Sequence, residues 1–281
     1  MKFIGLNLPN VKPKYSFILP LLAMSVWWIM LIALLTRWVT EGKPIYPNIH
    51  HMTWLVYLSN IGATNLQGVF IALTALQGIF YVWSTIQELN LRRKYYLLPL
   101  IENKNSTFRN TKNYHYFSIF SSSIASTSIL LVSCIRDDKY GNVHMSFVVI
   151  FIIFVFLSLI SNLIAYILYS IEYPYEKTYF TISYIYKIIF IIIGVGLAIA
   201  FGVLSGKDIY GPAASCEWAL CFFYGLMFII ISIDLTRKFP NVEKNNLNNI
   251  TDDDHQGGDN NTTADTTKED DLNSNSTSDI V

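Results

Sequence analysis

The chain has 281 residues, of which 52% are hydrophobic, 15% aromatic and only 14% charged, with a formal net charge of zero. So apolar a chain, with charges well below the roughly one quarter typical of soluble proteins, is excluded from the ordinary water-soluble class. No basic stripe interleaved with stacking aromatics supports nucleic-acid binding, and Cys134, Cys216 and Cys221 are too few for a disulfide scaffold and form no CxxC metal pair.

Read in chain order, six apolar stretches reach the roughly 20 residues needed to cross about 30 Å of hydrocarbon. They run from Tyr15 to Thr36, Ile61 to Trp83, Tyr116 to Ile135, Met145 to Ile171, Tyr184 to Leu204 and Glu217 to Leu235. The first follows Lys2, Lys12 and Lys14, and its length and lack of a small-residue cleavage site predict an uncleaved anchor. The third is diluted by serines between Ser118 and Ser128. The expected fold is all-α, a polytopic six-transmembrane-helix bundle spanning residues 15–238 after a short leader, 1–14. A tail from Phe239 to Val281 carries ten acidic residues against Lys244 and Lys268 and hardly an apolar side chain, so it is expected to be disordered.

Lys and Arg in the connections predict the orientation, because the insertion machinery retains them on the cytosolic side. With the amino terminus inside, the cytosolic segments hold fifteen basic residues and the outer ones five, namely Arg37, Lys43, Arg136, Lys139 and Lys207. Both ends are thus expected in the cytosol. The sequons at Asn105, Asn249, Asn260, Asn261 and Asn275 then fall on the cytosolic side and should stay unmodified.

Few residues offer chemistry. Arg92, Arg93 and Lys94 follow the second span, within a loop that also holds Lys104, Arg109 and Lys112. Basic residues beside an anionic leaflet contribute about 1 kcal/mol each, so this trio is the candidate contact for phosphoinositide headgroups or a partner. Glu217 and Asp234, at opposite ends of the sixth span, are the candidate intramembrane acids, and too far apart to form a paired-carboxylate site. Gly194, Ala198, Gly202 and Gly206 recur every four residues and form a candidate helix-packing face, with a dimer seam or sterol-contact groove as the other readings. Cys134 and Cys216 both fall at outer helix ends, where free thiols are the ordinary expectation and a disulfide is conceivable. No nucleophile elbow, phosphate loop or HExxH spacing is present, so no enzyme, cofactor or metal site is expected.

The stretch YPNIHHMTWLVYLSNIGATNLQGVFI, from Tyr46 to Ile71, carries Tyr57, Ser59, Asn60, Ile61 and Gly62 ahead of the second span. HMSF (His144 to Phe147), SYIYK (Ser183 to Lys187) and CEWALCFFYGLMF (Cys216 to Phe228) stand at later span boundaries. In order and spacing these pieces resemble the Frag/DRAM/Sfk family, above all its fungal suppressor-of-four-kinase branch. The family usually has Asp at the position of Asn60. The resemblance implies six helices with cytosolic termini and a non-enzymatic role. It further implies membrane lipids as partners, anionic phospholipids and sterol among them, and a phosphatidylinositol 4-kinase complex at the plasma membrane. The other expectations are a lipid translocator or transporter, and an autophagy modulator of lysosome or vacuole; residence in the endoplasmic reticulum is the remaining location.

Overall fold

A backbone in hydrocarbon must satisfy its hydrogen bonds within its own segment, so each apolar run becomes a helix. The computed structural model describes residues 12–46, 53–93 and 106–236, and the tail and Lys94 lie outside them. Its helices are α1 (Ile18–Thr40), α2 (Leu58–Gly62), α3 (Gln67–Arg92), α4 (Ser106–Cys134), α5 (Asp137–Glu172), α6 (Lys177–Gly206) and α7 (Tyr210–Thr236). All but the short α2 are long and apolar enough to cross a membrane, and the described residues contain no strand.

The helices outrun the apolar runs that announce them. The fourth span begins at Asp137 rather than Met145, and the sixth at Tyr210 rather than Glu217. Hydropathy marks where side chains turn polar, whereas helical hydrogen bonding continues into the headgroup region. α5, with 36 residues, is kinked at Tyr140, whose φ of −135° and ψ of 45° are non-helical, so its first residues form a short turn ahead of the long helix that follows.

The six long helices form a ring in chain order. α1 packs on α3, α3 on α4, α4 on α5, α5 on α6, α6 on α7, and α7 closes back on α1. The outward faces are apolar, as in Ile192 of α6, which is 66% exposed. The buried face is comparatively polar, with Glu88, Arg92, His115, Lys187 and Asp234 all within it. That inversion suits a solvent of lipid tails, where burying apolar surface drives no association and packing and hydrogen bonds must hold the helices.

Inside, the ring has three tiers. At the end where α1 begins and α7 finishes lies a charged cluster. The middle is aromatic, with Tyr224 meeting the rings of Trp27, Phe151 and Phe228 edge-on at 5.1 to 5.2 Å. In this tier Gln77 Nε2 donates to the Tyr224 hydroxyl at 2.9 Å and the Tyr81 hydroxyl to Ser158 at 3.1 Å. The far end is plugged by α2, whose five residues are all buried against α1, α4, α5 and α7. The three cysteines are free, with Cys134 exposed.

The α1–α7 seam depends on a glycine. A Cβ on Gly225 would lie 2.0 Å from Trp28 Nε1, while that indole donates to the Phe222 carbonyl at 3.3 Å. Trp28 cannot retreat without losing this bond. Gly225→Ala is therefore expected to cost about 1–3 kcal/mol, the usual penalty of overpacking. It should lower the melting temperature of the purified protein in mild detergent, and an unchanged value would show that the seam is loose.

Candidate functional site

Three pairs of polar residues four apart face inward at the terminal end of the ring. They are Glu88 with Arg92 on α3, Asn162 with Tyr166 on α5, and Ser183 with Lys187 on α6. Residues at this spacing share one helix face, so each helix presents two polar groups to the centre. Asp234, near the end of α7, completes the set.

Lys187 Nζ pairs with Asp234 Oδ2 at 2.7 Å, both side chains being almost wholly buried at 0% and 3% exposure. The same ammonium donates to Asn162 Oδ1 at 2.5 Å and lies 3.1 Å from the centre of the Tyr166 ring. Asn162 turns its Nδ2 to Glu88 Oε2 at 2.8 Å, and the Tyr166 hydroxyl donates to Glu88 Oε1 at 2.8 Å. Arg92 Nη2 donates to that hydroxyl at 2.5 Å and to the Asp234 carbonyl at 3.1 Å. The Ser183 hydroxyl reaches Asp234 Oδ1 at 2.6 Å. His115 of α4 joins through its Nε2, 3.0 Å from the Tyr169 hydroxyl.

Two cations meet two carboxylates, so the cluster is neutral as a whole. Desolvating four charges costs several kcal/mol each, repaid only when geometry is good and the remaining lone pairs are filled. Here both oxygens of each carboxylate have partners. The cluster is a latch across α3, α5, α6 and α7, and a neighbouring bond from Gln87 Nε2 to Ser16 Oγ at 3.0 Å ties in the approach to α1.

Several expectations change at this point. Arg92 is fully buried in the latch and cannot reach a headgroup from there. Of the basic trio, Arg93 is half-buried at the end of α3 and Lys94 lies outside the described residues. Lys187, at the end of SYIYK, sits inside α6 and is buried. Asp234, a candidate intramembrane acid, is one of the two anions of the latch. Of the small-residue face, Gly194 is packed within the chain, a Cβ there lying 3.0 Å from Phe156. A Cβ at Gly202 or Gly206 would meet nothing within 4 Å, so that part of the face is open.

Glu217 belongs to the far end. Its Oε2 accepts the Leu58 backbone N–H at 2.8 Å, holding the start of α2, while Trp218 Nε1 donates to the Val56 carbonyl at 3.0 Å. Asn60 Nδ2 donates to Asp137 Oδ2 at 3.2 Å. Aspartate at position 60 would set a second carboxylate against Asp137, so the amide here is matched to its neighbour. Burial pushes the Tyr57 phenol up to about 12, so it stays neutral beside these acids.

The profile of the Frag1/DRAM/Sfk1/Cwh43P N-terminal domain matches residues 15–238. This chain belongs to that family. Among relatives, this Frag1/DRAM/Sfk1 chain is 27% identical to Protein SFK1 of Saccharomyces cerevisiae over 79% of its own length and 78% of the relative's. It is 31% identical to Protein sfk1 of Schizosaccharomyces pombe over 81% of its own length and 66% of the relative's. No solved structure matches the chain. Ser183, Lys187 and Glu217 lie within the pieces that carried the resemblance, and Asp234 lies just beyond the last of them. All three tiers of the interior thus contain residues from these pieces, with Tyr224 and Phe228 in the middle one.

Proposed function

We propose that this Frag1/DRAM/Sfk1 protein is a non-enzymatic organiser of the plasma membrane that helps recruit or regulate a phosphatidylinositol 4-kinase complex and influences phospholipid asymmetry. The observation that carries the reading is the latch. One ion pair and the bonds of Asn162, Tyr166 and Ser183 to the other charged groups join four helices, which suits a rigid platform rather than a reaction centre. The basic connection after α3, on the side expected to be cytosolic, is the surface this platform presents to anionic lipid and to partners. The resemblance to the suppressor-of-four-kinase branch supplies the kinase complex as the expected partner.

The test spares Arg92. Purified protein carrying Arg93→Gln and Lys94→Gln is assayed for retention of vesicles containing phosphatidylinositol 4-phosphate. At about 1 kcal/mol per basic residue, the double variant should hold them on the order of thirty-fold more weakly. In cells, a tagged kinase complex should leave the plasma membrane in the same variant. Unchanged retention and unchanged kinase position would remove this connection from the mechanism.

A further inference from the structure

The far half of the ring contains an apolar cavity of about 70 Å³ that plays no part in the latch. Trp27, Phe70, Phe151, Phe190 and Tyr224 are among its walls, and Glu217 stands in its lining. One oxygen of that carboxylate is occupied by the Leu58 N–H, while Oε1 has no hydrogen-bond partner among the described residues. Beside the cavity, α5 and α6 part to leave a groove lined by Val149, Ile153, Ala198 and Gly202. Groove and cavity share Ile152 and Phe201 as a common wall. The groove opens toward hydrocarbon, since Val149 and Ile153 are 48% and 49% exposed.

We propose that the groove and cavity bind the apolar chain of a membrane amphiphile whose head, a hydroxyl or an ammonium group, donates a hydrogen bond to Glu217 Oε1. A carboxyl oxygen in apolar surroundings is costly unless a hydrogen-bond partner meets it, so the site favours a ligand that brings one. Heads bearing phosphate or carboxylate bring a charge and acceptor oxygens rather than a donor, and the apolar site selects against them. Lipid is the medium onto which the groove opens, so the occupant arrives laterally rather than through water. This activity is separate from kinase recruitment, which is assigned to the opposite end of the ring.

The full chain, reconstituted in nanodiscs, is labelled with a diazirine-bearing hexadecanol, with hexadecanol, hexadecylamine, palmitate and hexadecyl phosphate as competitors. Label should fall on the cavity-facing parts of α6 and α7. The alcohol and the amine should compete at least tenfold better than the two anions. Glu217→Gln, which can still accept from a hydroxyl, should keep competition by the alcohol and remove any advantage of the amine. Gly202→Phe adds a side chain where nothing lies within 4 Å, so it should fill the groove and abolish labelling with the melting temperature unchanged. Equal competition by all four amphiphiles, or labelling that survives Gly202→Phe, would overturn the proposal. So would a cross-link joining two copies of the chain through the groove.

Discussion

Lys187→Met is expected to destabilise the protein by about 3–5 kcal/mol, the cost of removing one partner from a buried ion pair. Methionine roughly preserves the volume, so the loss comes from charge rather than from a cavity. Without the ammonium, Glu88 and Asp234 share a single cation, Arg92, inside the ring, and Asn162 loses the donor that orients its amide. The purified variant should melt at a lower temperature in mild detergent and accumulate less in membranes. Adding Asp234→Asn restores a neutral cluster and keeps an oxygen for the Ser183 hydroxyl, so the double variant should recover most of the loss. A single variant as stable as the parent chain would mean that the pair does not form in the membrane.

Arg92→Gln should cost a similar amount, again about 3–5 kcal/mol, because the guanidinium is wholly buried and bonded to both Tyr166 and the Asp234 carbonyl. Arg93→Gln, one residue on, alters a half-buried position and should cost less than about 1 kcal/mol. The two neighbours therefore separate two roles. Arg92→Gln should lower the melting temperature, while vesicle retention per folded molecule stays near the parent value. Arg93→Gln should do the reverse. If Arg92→Gln instead melted normally and released vesicles, its side chain would reach the headgroups and the latch would need to be redrawn without it.

Much of the fold was legible because hydrocarbon leaves a chain little choice. Six apolar runs became six helices, and only their ends were misplaced, since hydropathy sees side chains rather than backbone bonds. The latch was harder to read. Glu88, Arg92 and Lys187 border apolar runs, where a charge ordinarily reaches for headgroup water, and Arg92 reads as part of the basic connection that follows it. The usable signal was the four-residue spacing of Glu88–Arg92, Asn162–Tyr166 and Ser183–Lys187, which aims polar groups inward on three helices. Asp234 and Glu217 stood out because each is the lone acid at one end of an otherwise apolar span. The open part of the small-residue face shows the limit of that pattern, because glycine spacing marks where a backbone can be approached and not what approaches it.

The ring closes only when its last helix meets its first, and this bears on biogenesis. As the ribosome feeds helices into the membrane in turn, Lys187 enters before the carboxylate that neutralises it has been synthesised. Until Asp234 arrives, the nascent chain carries an excess positive charge at the rim of an unfinished ring. That intermediate is open to quality control, and an arrest just before α7 should leave it there as a substrate for degradation.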